Sequence, residues 1–344
     1  MNAPPVLARV VRGGRIESSH RGDVAVVDED GLLLAWAGSP RGGIYLRSAA
    51  KPFQAMPLLA AGGERAFRLG NDEIALMCAS HGGEPRHVRV ARRILSRGGF
   101  SAADLACGAH PPMHEPSALA LVRSGKPPTV LHNNCSGKHG GLLLACRLRG
   151  FDPHGYESPA HPIGLDVLGQ LAAACGVPAS DIGIAVDGCS LPVFFLPLSG
   201  LASGYARLVS RRLPGETPAS RAVRRRITRA MWESPGMVAG RGRFTTALLE
   251  AGPRLWIGKE GAEGVYAIGV RPRGAGGKAV GIAFKMEDGS PRARDAVALD
   301  LLARLGLFPP AARRALDAYR SPVLRNARVL DVGRIEAEVP LERS

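Results

Sequence analysis

Lysine is nearly missing from this chain. Of its 45 basic residues only six are lysines (Lys51, Lys126, Lys138, Lys259, Lys278 and Lys285), and the other 39 are arginines. Where arginine serves almost everywhere a positive charge is wanted, a surviving lysine suggests something arginine cannot do: lose its proton and act as a base. Aromatic residues make up only 5% of the chain, which leaves few platforms for stacking single-stranded nucleic acid. No apolar run approaches the ~18 residues of a membrane span; LLLACRLRG and LPVFFLPLSGL are both too short. The opening MNAPPVLARVVRGG lacks the basic n-region and long apolar stretch of a signal peptide. The cytoplasm is therefore the expected location, with no membrane contact. The six cysteines include no CxxC pair and do not look like the framework of a small secreted protein. Also missing are GxGxxG after a strand, HExxH and GxSxG, and the GK of CSGKHGG lacks the flanks of a phosphate loop.

What is present is a globular composition, 45% hydrophobic, with a net charge of +15. Arginine clusters occur at RLVSRRL and RAVRRRITRA, and the second has the spacing of a solvated helix face. Scattered charge without a recognisable DNA- or RNA-binding pattern predicts only weak, non-specific retention of nucleic acid, which is not an expected partner. VLARVVRGG, DVAVVDEDG and LLLAWAG read as strands, with Asp30-Gly31 as a hairpin turn between the last two. Ser48 is expected to cap a helix running to Leu59. Helical patterns then dominate to about residue 252, with a strand at IGIAV. The strands RLWIGK, GVYAIGV and KAVGIAFKM come late, with a turn over Pro272–Gly277 and a final strand at ARVLDVG. Strands at both ends and helices between predict an α+β fold. The expected organisation is a single domain over 1–344, its sheet drawn from about 1–46 and 254–335 and its helical region spanning about 48–252.

Ser48-Ala-Ala-Lys51 places a serine and a lysine three apart, on one helix face. A desolvated lysine gives up its proton more readily and can activate a serine for acyl transfer. SxxK alone is common, and taken alone it is better explained by a helix cap with a snorkelling lysine. In serine β-lactamases and penicillin-binding proteins SxxK is paired with a K-[ST]-G strand; here Lys259-Glu260-Gly261 ends an apolar strand, and the S-D-N element is absent. HNNCSGKHGG, residues 132–141, and Asp187-Gly188-Cys189-Ser190-Leu191-Pro192 collect polar and reactive side chains. Two cysteines with a nearby lysine or histidine can hold zinc, and plain burial is the alternative. Cys78-Ala79-Ser80-His81-Gly82-Gly83-Glu84 reads as a turn whose backbone amides can line an oxyanion site, or as a glycine helix cap.

In order along the chain, RSAAKPFQ, CASHGGE, HNNCSGKH, DGCSLP and KEGAEGV resemble the Rhizobium-type L-asparaginases, the asparaginase II family. The resemblance implies a serine β-lactamase/glutaminase-like fold and hydrolysis of L-asparagine to L-aspartate and ammonia. It implies two Ser–Lys tandems, Ser48 with Lys51 and Ser80 with Lys259. It implies an accessory zinc on Cys135, Lys138 and Cys189, with Asp187 holding the substrate's amino group. Arg47, His139 and Glu263 are further expected substrate-binding residues, and a homodimer is the expected assembly. A glutaminase, a β-lactamase-like enzyme or an esterase is the alternative within the same chemistry; a basic nucleic-acid-binding protein is the alternative outside it.

Overall fold

A computed structural model describes residues 3–274 and 276–344. The chain folds into two compact units. One comprises the segment ending at Ala49, Leu196–Arg211 and Ala247–Ser344; the other comprises Ala50–Phe195 and Arg212–Thr246. The fold class is α+β, as expected. The strands are β1 (Val6–Arg12), β2 (Arg15–Asp28), β3 (Leu33–Ala37), β4 (Gly43–Tyr45), β5 (Gly183–Val186) and β6 (Pro192–Pro197). They continue as β7 (Trp256–Glu260), β8 (Val265–Val270), β9 (Val280–Met286), β10 (Val323–Arg325), β11 (Asp331–Ala337) and β12 (Glu342–Arg343). The helices used below are α1 (Lys51–Gln54), α2 (Met56–Ala60), α3 (Gly63–Ala66), α4 (Asn71–Met77), α5 (Pro85–Arg97), α6 (Glu115–Arg123), α7 (Ser136–Arg149), α8 (Pro162–Cys175), α9 (Leu198–Val209) and α10 (Pro218–Glu233).

In the first unit the terminal strands pair in the order β10-β11-β1-β2-β9-β8-β7, and β3 pairs with β2 and β12. All these pairings are antiparallel. The β2 strand starts eight residues before the expected DVAVVD run, because the polar stretch RIESSH pairs back on β1 across the Gly13-Gly14 turn. Its side chains are largely exposed there, so hydrophobic periodicity does not mark it. The strand expected at ARVLDVG begins later, as β11: Asn326 Oδ1 accepts from the backbone of Arg328 and Leu330, closing a turn over the start of that stretch. The turn expected over Pro272–Gly277 includes Ala275, which lies outside the described residues.

Helix α9 lies on β2, β8 and β9. Two glycines make this possible. Gly269 and Gly281 are cross-strand partners in β8 and β9, and a Cβ on either would run into a backbone carbonyl of α9, that of Tyr205 or Ala202 respectively. The sheet surface is therefore hollowed under the helix axis. The fully buried Tyr205 then donates its hydroxyl to Ala49 O at 2.8 Å, which ties α9 to the turn Arg47–Ala50 carrying Ser48.

In the second unit α7 is packed against α4 and α5. The glycines of SGKHGG serve this packing. A Cβ on Gly137 would meet Leu76 O, one on Gly140 would meet Ile94, and one on Gly141 would meet Met77. The helix expected from Ser48 to Leu59 is broken into a 3-10 turn, α1 and α2. Pro57, which has no N–H to offer the preceding turn, accounts for the break. Nor is Ser48 a cap: the residue preceding α1 is Ala50, and no side chain caps that end. The arginine-rich α10 is only partly a solvated face. Arg225 and Arg229 are exposed, but Arg224 is buried and grips Glu216 through two hydrogen bonds of 2.5 and 2.8 Å. Among the described residues no helix is long and apolar enough to cross a membrane.

Candidate active site

Burial separates the six lysines. Lys51 and Lys259 are 0% exposed and Lys138 is 3% exposed; Lys126 and Lys278 are exposed and Lys285 is intermediate. Lysine is almost never fully buried without partners, and the three buried ones are those expected at site positions.

Lys51 sits at the start of α1 in the second unit. Its Nζ is 2.6 Å from Ala79 O, 3.1 Å from Ser80 Oγ and 3.4 Å from Asn134 O. The two carbonyls can only accept, so Lys51 must direct N–H groups at both. Its remaining position faces Ser80 Oγ, which can either accept or donate. A protonated Lys51 donates to Ser80; a neutral one presents its lone pair to the Ser80 hydroxyl proton. The geometry is that of a proton exchange between base and nucleophile. Lys51 thus meets the serine of the second expected tandem, 29 residues along the chain.

Ser80 follows α4 in a turn held by two imidazoles. Gly83 N donates to His81 Nδ1 at 3.1 Å, so the His81 proton is on Nε2, which donates to Ser136 Oγ at 2.9 Å; Ser136 in turn donates to Leu131 O. Glu84 N donates to His87 Nδ1, and His87 Nε2 donates to Gly236 O. The two rings stack with centroids 5.0 Å apart. Ser80 N donates to Val238 O. The amides of Ser80, Gly83 and Glu84 are therefore bonded to other groups of the protein, so an oxyanion site in this turn would draw on those of His81 and Gly82.

Burial holds the His81 imidazolium well below its ordinary range, and His87 and Lys51 add to the effect. The unfolded chain takes up this proton below about pH 6.5 and the folded chain does not. Stability is accordingly full above that pH and falls below it. The expected contribution is about 1.4 kcal/mol per pH unit. Urea unfolding at pH 7.5 and 5.5 measures it; His81→Asn should flatten the slope by that amount, and an unchanged slope would mean that the folded ring is protonated.

The residues expected to hold zinc also converge. Lys138 Nζ donates to Cys189 Sγ at 3.0 Å. Cys135 is hydrogen-bonded to Cys189, which lowers its thiol well below the usual range against the effect of burial, with help from Lys51 and Lys138. Burial alone would lower the Lys138 ammonium; the sulfurs of Cys135 and Cys189 reverse this and raise it. Cys189 is raised, by Cys135 and by burial. Cys135 Sγ also donates to Asn134 Oδ1 at 3.2 Å. Among the described residues no three His, Cys, Asp or Glu side chains converge as metal ligands; the third donor here is a lysine. Two soft sulfurs and an amine, all buried, fit zinc provided the lysine releases its proton.

Asp187 begins the turn between β5 and β6. Its N donates to Leu191 O at 2.8 Å, and its Oδ1 accepts from Gly188 N at 2.8 Å. Its carboxylate contributes to the raised Lys138. His139 is fully buried, with Nδ1 2.6 Å from the Tyr156 hydroxyl. Ser48, Arg47, Lys259 and Glu263 belong to the first unit. There Lys259 Nζ donates to Glu260 O at 2.8 Å. Arg47 and Glu263 both have left-handed backbone, with φ 48° and 58°, and their charges are 3.9 Å apart. Two strained non-glycine residues at one ion pair mark a constrained spot.

The L-asparaginase II family model matches residues 8–337. The chain belongs to that family. Among solved structures, Mglu in its native form overlaps with a TM-score of 0.45 at 17% identity, covering 84% of this chain and 66% of its own, so this chain spans slightly under two thirds of Mglu. A probable glutaminase from Bacillus subtilis, complexed with 6-diazo-5-oxo-L-norleucine, overlaps at 0.39 and 13% identity, covering 86% and 87% of the two chains. A β-lactamase from Burkholderia ambifaria overlaps at 0.41 and 15% identity, covering 83% and 94%. No curated protein matches the chain.

Sequence reading singled out neither Asn134 nor His81, although they lie in HNNCSGKH and CASHGGE. Asn134 acts through its main-chain carbonyl, which carries no residue-type signal. His81 stood inside a quoted motif, but its tautomer is set by partners as distant as Ser136.

Proposed function

We propose that the protein is an amidohydrolase converting L-asparagine to L-aspartate and ammonia through a serine ester. Family membership supports amidohydrolase chemistry. The observation that carries the reading is Lys51 Nζ at 3.1 Å from Ser80 Oγ, with backbone carbonyls taking its other protons. Neutral Lys51 accepts the serine proton. The serine oxygen attacks the side-chain amide carbon of asparagine, and the proton passes to the leaving nitrogen as the C–N bond breaks. Water, deprotonated by the same lysine, then cleaves the β-aspartyl ester.

The contact favours Ser80 as the direct partner of Lys51, where the motif reading paired Lys51 with Ser48. In this proposal Ser48 and Lys259 complete the proton relay. Asp187 takes the substrate's amino group, Arg47 and Glu263 its remaining polar contacts, and His139 acts from behind by holding the first turn of α7. Cys135, Lys138 and Cys189 would hold zinc, which supplies positive charge for substrate positioning and a local crosslink.

The test is ammonia release from L-asparagine beside L-glutamine and a chromogenic β-lactam. Asparagine turnover is expected, with Ser80→Ala and Ser48→Ala each lowering kcat by about 10³-fold. The nucleophile is the serine whose loss also abolishes the acyl-enzyme in intact-mass spectra. Turnover of glutamine or the β-lactam alone would replace the substrate. Chelation should raise KM; an unchanged KM would remove zinc from substrate positioning.

A further inference from the structure

The irregular segment Cys107–His114 is fastened close to Lys51 and Ser80. At one end Asn133 Nδ2 donates to the carbonyls of Cys107 and Gly108, at 2.7 and 3.1 Å. At the other, His114 N donates to Gly82 O at 2.9 Å, two residues from Ser80. Between these ties the segment reaches Asn134 twice. Asn134 N donates to His110 Nε2 at 3.0 Å, and Asn134 Nδ2 donates to Met113 Sδ at 3.4 Å. A backbone amide can only donate, so His110 Nε2 is bare. Its proton is on Nδ1, which donates to Pro111 O at 2.7 Å. The ring is thereby locked as an acceptor for one peptide.

We propose that His110 is a positioning residue for Lys51, acting through the backbone of Asn134. The inference rests on the reading of Lys51 as the base. Lys51 aims its lone pair at the serine only if two carbonyls take its two N–H groups. Ala79 O is the close one at 2.6 Å and Asn134 O the distant one at 3.4 Å. The distant bond is the one most easily lost to a small shift. The peptide after Asn134 is held through Cys135 N, which donates to Asn133 Oδ1 at 2.8 Å. The peptide before it is held by His110 at its N–H and by Ser136 N, which donates to Asn133 O at 2.9 Å, at its carbonyl. Without the imidazole acceptor, the peptide before Asn134 keeps only its carbonyl tie, and the long bond from Lys51 to Asn134 O is the one the resulting shift weakens first. Neither His110 nor Met113 needs to touch the substrate for this.

The test compares His110→Leu with His110→Gln, whose amide oxygen can reach the place of Nε2. Two rates are read: asparagine turnover, and labelling of the active serine by a fluorophosphonate, followed by peptide mass. His110→Leu is expected to slow both by about ten- to a hundredfold with KM nearly unchanged, and His110→Gln to recover most of the loss. Equal losses in both variants, no loss in His110→Leu, or a change in KM alone would overturn the inference. Should His110→Leu not fold, His110→Asn takes its place, because its shorter amide cannot reach Asn134 N; it should be slow while His110→Gln is not. A wild type that is labelled but releases no ammonia from asparagine overturns the substrate reading alone, and the labelling rates still decide the role of His110. A wild type neither labelled nor active overturns both.

Discussion

Lys51→Met is expected to lower kcat for asparagine hydrolysis by about 10²–10⁴-fold, the usual worth of a general base. Methionine fills much of the lysine's volume but can take no proton. Because Lys51 is fully enclosed, no solvent-borne base can easily replace it. kcat and kcat/KM should fall together, since the lost interaction belongs to the transition state. The variant also leaves Ala79 O and Asn134 O without their donor, at about 1–3 kcal/mol for each unsatisfied buried group. A lower unfolding midpoint is therefore expected alongside the kinetic loss, and activity is compared at a temperature where both proteins are folded. Lys51→Arg is expected to be equally inactive: it keeps the charge, but a guanidinium does not deprotonate in this range. Near-normal ammonia release by either variant would show that the base lies elsewhere.

Gly281→Ala is expected to destabilise the first unit by about 3 kcal/mol or more, among the largest effects of a single methyl group. The added Cβ would fall on Ala202 O and press on Ala202 C and Ala206 N, all backbone atoms of α9. No rotamer change relieves such a clash; the helix must lift from the sheet. Lifting α9 also draws Tyr205 from Ala49 O, so the turn holding Ser48 loses an anchor. Gly169→Ala is the control. It lies within α8 with nothing within 4 Å of its would-be Cβ, and should be neutral or stabilising by up to about 1 kcal/mol. Urea midpoints of the two variants measure the contrast. Similar midpoints would mean that α9 does not rest on the sheet at Gly281.

The two effects differ in what a reader of the sequence can anticipate. The importance of Lys51 follows from lysine's scarcity and from the serine three residues before it. Gly281 sits in an ordinary β-branched and apolar run, and nothing local distinguishes it from any strand glycine.

The sequence by itself determined the α+β class and most terminal strands, and it singled out the three lysines that the structure buries. It did so because alternation of apolar residues and the chemistry of lysine, cysteine and serine are local properties. It erred where local signals are weak: in the polar opening of β2, in the helix interrupted at Ala55 ahead of Pro57, and in strand β11, displaced by the Asn326 turn. Only the tertiary structure decided which groups meet. Lys51 contacts Ser80 because the start of α1 meets the turn that follows α4, and its other anchors are carbonyls, which every residue possesses. The neutral tautomers of His81 and His110 follow from the single-purpose backbone groups opposite them. The close seat of α9 depends on two glycines becoming cross-strand partners. Each of these is a relation between distant segments, and a linear pattern carries no information about which donor will face which acceptor until packing brings them within bonding distance.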